Sequence, residues 1–146
     1  MTLLKTLMAG AFAITIAAAN NTATPFNEIA SRATQIEKDA NWMKQHLKAK
    51  QYDRQQLDEH ASAVEQNIGR LRELVASLDT ASLAPQEQQK VELMKTKVEL
   101  LSIFHSKKKE LLNQGDLSKN RSWLRAHADG IAKRAGMLHK TASQMN

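Results

Sequence analysis

Two short stretches hold residue types that could do chemistry, and they share a pattern. Trp42-Met43-Lys44-Gln45-His46-Leu47 and Trp123-Leu124-Arg125-Ala126-His127-Ala128 both read Trp, apolar, basic, any, His, apolar. Residues four apart lie on one face of a helix, so each Trp is expected to touch its His. Neutral imidazole is a frequent ligand for divalent metals and haem iron. With His60 and His105 the two stretches give a candidate ligand set of His46, His60, His105 and His127, while His139 stands apart. The competing reading is structural: amphipathic rings cover one end of a helical bundle, apolar bodies inward and polar atoms outward.

A third stretch raises a different question. In Glu99-Leu-Leu-Ser-Ile-Phe-His-Ser-Lys-Lys-Lys-Glu-Leu-Leu112 an apolar seam followed at helical spacing runs onto His105 and Lys108. The apolar residues Leu93, Met94, Val98, Leu100, Leu101, Phe104, Leu111 and Leu112 suggest a broad face, with His105 at its border. Lys108 is then expected to lay its stem on that face and carry its ammonium to water at the bundle end. Basic residues are plentiful here. Lys107, Lys108, Lys109, Lys119, Arg121, Arg125, Lys133 and Arg134 form a candidate anion-binding strip.

Several reaction classes lack their equipment. The chain of 146 residues has no cysteine, which removes thiolate catalysis, disulfides and cysteine metal sites. It has no G-x-S-x-G and no glycine-rich phosphate loop, and no Glu-x-x-His pair of the di-iron type. The expectation is a protein that is not an enzyme.

The elements that position these residues follow from periodicity. Phe26, Ile29, Ala33, Ile36, Ala40, Met43 and Leu47 step by three and four, as do Leu57, Ala61, Val64, Ile68, Leu71, Val75 and Leu78. A third helix is expected from about Gln86 to Asn113, entered through Pro85 and stopped by Gly115. A fourth carries Leu124, Ala128, Ile131, Ala135, Leu138, Ala142 and Met145, capped by Ser118 or Asn120. No strand pattern appears. The expected fold is all-α, an antiparallel up-down-up-down four-helix bundle over residues 20–146, with helices 1 and 4 close because both are rich in alanine.

The first nineteen residues, MTLLKTLMAGAFAITIAAA, combine Lys5, a small-residue apolar run and Ala17-Ala18-Ala19, the pattern of a cleaved signal peptide. Export to the periplasm or outside the cell is therefore expected, with Asn20 as the mature N-terminus. Charge is uneven along the rest. Residues 20–104 hold eleven Lys/Arg against twelve Asp/Glu, and residues 105–146 hold nine against three, so the C-terminal third carries +6. Suitable partners are anionic envelope lipid, polysaccharide or an acidic protein; nucleic acid is a poor fit outside the cytoplasm without aromatic stacking residues among the lysines.

Two resemblances bear on these readings. The spaced Trp/His positions and the helix "VEQNIGRLRELV" resemble small secreted bacterial helical-bundle proteins, which implies this fold and export but no activity. The plan of an exported four-helix bundle with Met and His available also resembles the soluble b-type cytochromes. That likeness implies haem b, or by extension a divalent metal, as the alternative to a structural role. Those cytochromes use a methionine early in the first helix and a histidine late in the last. Here Met43 comes late, and His139 has no early partner.

Overall fold

The computed structural model describes residues 24–49, 52–114 and 117–146. The leader with its cleavage position after Ala19, and the Gly115 helix stop, lie outside the described residues. Four helices are present: α1 Pro25–His46, α2 Arg54–Ala76, α3 Pro85–Leu112 and α4 Arg121–Ser143. The described residues contain no strand.

Three of the four starts have a local cause. Thr24 accepts a hydrogen bond from the Asn27 amide ahead of Pro25, and Asp53 accepts one from the Gln56 amide at the head of α2. These acceptors satisfy amides that the first helical turn leaves without partners. At α3, Pro85 occupies the first turn and the Glu87 carboxylate reaches back to accept from the Ala84 amide at 3.0 Å. Asn120 precedes α4 without a side-chain cap.

The α1, α2 and α4 seams bury as their spacing dictates: Ile29, Ile36, Met43, Leu57, Val64, Leu71, Leu124, Ile131 and Leu138 belong to one core. Pairs across α1 and α4 run in reversed order, Thr24 with Asn146, Thr34 with His139 and Lys44 with Asp129. The same reversal links α1 to α2, through Glu28–Arg70, Arg32–Asn67 and Asp39–His60, and α2 to α3, through Glu65–Lys109 and Arg72–Glu99. Each helix touches its two neighbours in a ring, and α1 packs most extensively on α4. Ala33, Ala40, Ala128 and Ala135 are all fully buried, and Gly136 admits Glu37 of α1 to its side.

The structure does not bear out the broad apolar face expected of α3. Its buried line is Val91, Met94, Lys97, Val98, Leu101, His105, Lys108 and Leu112, a narrow seam, whereas Leu93 and Leu100 face solvent. His105 is therefore in the seam rather than at its border. Lys108 does not reach water: only 1% of it is exposed.

Candidate functional site

The histidine-bearing half of the bundle resolves into three neighbourhoods. On the α1/α2 side, the Trp42 ring stacks on His46 at a centroid distance of 3.5 Å and on His60 at 3.9 Å. Both imidazoles are oriented by acceptors. His46 Nδ1–H donates to the Trp42 carbonyl at 3.0 Å, because a carbonyl only accepts. His60 Nδ1–H donates to Asp39 Oδ1 at 2.8 Å, and Gln35 donates to the other oxygen of that carboxylate at 3.1 Å. Asp39 is buried, so His60 and Gln35 supply the partners that a carboxylate needs away from water.

The second copy of the pattern does not repeat the stack. Trp123 is 64% exposed, and His127 packs edge-on against Phe104 at 5.6 Å. The Arg134 guanidinium lies over the other part of this cluster, 3.7 Å from the Phe104 centroid. Burial, then the nearby Lys107 and Lys108 charges, hold the His127 pKa below its usual value.

Between these faces lies the third neighbourhood, in the core. Lys108 Nζ donates to Met43 Sδ at 3.3 Å. A thioether is a weak acceptor for an ammonium with three hydrogens. Burial pushes the Lys108 pKa from 10.5 down to about 7, opposed in part by the Asp39 carboxylate. One turn earlier, His105 is 5% exposed and neither ring nitrogen has a hydrogen-bond partner among the described residues. Burial, followed by the Lys108 charge, lowers its pKa to about 4, so it is neutral at physiological pH. It borders a cleft of about 190 Å³ between α2 and α3, lined also by Arg54, Asp58, Glu65 and Lys109.

The four candidate ligands thus face different surroundings. His46 and His60 sandwich an indole, His105 sits in the α3 seam and His127 abuts Phe104. Among the described residues, no group of three or more His, Asp or Glu side chains could hold a metal ion together. The residues do not fit haem b either. The buried Met43 sulfur is engaged by the buried Lys108, and His139 Nδ1 donates to the Ala30 carbonyl at 3.2 Å.

The residues of the candidate anion strip differ in exposure. Lys107, Lys109, Lys119 and Lys133 are exposed, and Arg121, Arg125 and Arg134 are half-buried. Lys108 is absent from that surface. Lys109 pairs with Glu65 at 2.8 Å, and Lys107 with Glu110 at 2.8 Å. Asp129 accepts from Lys133 and Lys44, and those bonds hold its pKa down at about 2.

Two features escaped the sequence reading. Asp39 sits between Lys38 and Ala40 in an ordinary polar position, and its signal is only that it follows Ile36 by three. The exposed apolar residues Ile103 and Met137 follow no core seam, which was their signal. No family model matches the chain, and neither a curated protein nor a solved structure matches it. Among the described residues no helix is long and apolar enough to cross a membrane.

Proposed function

We propose that the chain is an exported, non-enzymatic helical-bundle protein of the cell envelope that acts as an interaction module through its basic half. Export rests on Lys5, the apolar run and Ala17-x-Ala19, which together favour a periplasmic or secreted destination. The antiparallel up-down-up-down arrangement is supported by the reversed order of side-chain pairs between neighbouring helices. Neighbouring helices joined by short loops favour the same topology.

The observation that carries the interaction reading is charge segregation between helices. Counted over the helix ranges, α1 has three Lys/Arg and three Asp/Glu, and α2 has three and four, together −1. The corresponding counts are six and four in α3 and five and one in α4, together +6. One side of the molecule is nearly neutral and the other is strongly basic. Such a surface attracts anionic partners at long range, with a dependence on ionic strength set by a screening length of about 8 Å at physiological salt.

The test is retention on an anionic matrix over a salt gradient, for the wild type and a variant with Lys107→Glu, Lys119→Glu and Lys140→Glu. These exposed positions leave the core untouched. Retention is expected to fall steeply with salt and to drop for the variant at equal helicity. Retention insensitive to both changes would refute the reading.

A further inference from the structure

The large apolar side chains left in solvent are not scattered. Leu93, Leu100, Ile103, Trp123 and Met137 are the exposed large hydrophobic residues of the described chain, and all five lie on α3 and α4. Their spacing makes them two stripes. Leu93, Leu100 and Ile103 recur at seven and three on α3, and Trp123, Gly130 and Met137 recur at seven on α4. Phe104 joins the stripes. Its ring occupies the side of Gly130, where an added Cβ would stand 2.8 Å from Phe104 Cε1, and Arg134 stacks on the same ring. At the level of Gly130 the groove between the two helices is therefore filled, and what faces outward is a ridged apolar band. From Trp123 to Met137 it extends about 21 Å at about 1.5 Å per residue.

We infer that this α3/α4 face docks on an anionic lipid bilayer, with Trp123, Ile103 and Met137 entering the headgroup layer. The inference rests on the proposed anionic-partner reading and commits it to one occupant. Charge complementarity selects anionic lipid, because the apolar band lies on the two helices that still carry +5 once the buried Lys108 is left out. Exposed Lys107, Lys133 and Lys140 belong to the same two helices. With Phe104 filling its middle, the groove offers no continuous concave seat for a polysaccharide chain or a partner helix, whereas a deformable interface accepts a convex band. Trp is favoured at such interfaces, having an apolar body and one hydrogen-bonding nitrogen. An in-plane face with apolar residues flanked by basic ones is the arrangement that binds peripherally, its strength set by buried apolar area plus attraction to anionic headgroups.

The experiment titrates the full mature protein with three probes: phosphatidylglycerol vesicles, phosphatidylcholine vesicles and soluble dextran sulfate. Trp emission, quenching by bromine placed in the acyl chains, and sedimentation are read together. Binding to phosphatidylglycerol vesicles is expected to blue-shift the emission and admit bromine quenching. Trp123→Phe should abolish both signals. It should not disturb the Trp42 stack, which involves other helices. The variant Ile103→Ser, Trp123→Ser, Met137→Ser should bind these vesicles at least tenfold more weakly with helicity unchanged. Dextran sulfate should bind without a shift, and phosphatidylcholine should bind far more weakly. Salt-sensitive binding to vesicles and dextran sulfate alike, with no Trp123 signal, would overturn the lipid inference and leave the anionic-partner reading standing. No binding to either anionic probe would overturn both. A blue-shifted Trp123 in the protein alone, sedimenting as a dimer, would assign the face to a second copy and overturn the inference.

Discussion

Replacing Lys108 by methionine should stabilise this protein at neutral pH, and the gain should disappear in alkali. The buried ammonium has one weak partner, the Met43 thioether at 3.3 Å. Its pKa falls from 10.5 to about 7 because burial disfavours the charged form. At about 1.4 kcal/mol per pH decade, that difference amounts to about 5 kcal/mol. The sign follows from proton counting. Between pH 7 and pH 10.5 the unfolded chain holds a proton on Lys108 that the folded chain has released, so wild-type stability rises with pH across that window. Below pH 7 both states are protonated and the burial cost is fully present. Methionine has a similar length and no charge, and replacing a buried charge by an apolar side chain of similar volume is often stabilising. The expected difference, Lys108→Met over wild type, is therefore about 5 kcal/mol at pH 6 and near zero above pH 10.5. With a urea slope of about 1.5 kcal/mol per molar, the pH 6 midpoints should differ by about 3 M. Urea unfolding followed by circular dichroism at successive pH values measures this directly. A difference that stays constant with pH, or a wild type more stable than the variant at pH 6, would refute the assignment of the ammonium to the core.

The remaining expectations concern acid and glycine. His105 titrates at about 4 when folded and near 6.5 when unfolded, so stability is present above pH 6.5 and is lost as pH falls towards 4. His105→Leu should unfold less steeply over that range in thermal scans, and identical slopes would argue against burial of the imidazole. Gly69 has nothing within 4 Å of an added Cβ, and Gly69→Ala should stabilise α2 by about 1 kcal/mol through helix propensity. Gly130→Ala should instead destabilise, by about 1–2 kcal/mol net, because its methyl would press into the Phe104 ring. Melting temperatures moving in the same direction for both variants would contradict the close approach of Phe104 to α4.

How far the sequence alone reaches is visible in α3. The other helices were legible because every third or fourth residue is apolar, and each expected seam falls inside its helix or runs at most two residues past its end. On α3 the same rule pointed to two answers. Counting apolar residues favours a broad face containing Leu93 and Leu100. Strict spacing from Val91, Met94, Val98 and Leu101 continues to His105, Lys108 and Leu112, and the structure follows the spacing. Polarity alone suggested that Lys108 must escape to water. Its neighbours decide otherwise, since Met43 of α1 closes the position from across the bundle. The paired Trp/His pattern fails for the same reason. Trp42 gains its second ring from His60 of α2, which Asp39 of α1 holds by a hydrogen bond, whereas Trp123 remains largely exposed. Identical local spacing therefore yields a locked stack in one place and an exposed indole in the other. That asymmetry also separates two roles for one residue type. Trp42 is partly buried, with both ring faces covered by His46 and His60. Trp123 sits on the basic side of the molecule with its ring in solvent, so a change there should alter association and leave folding intact.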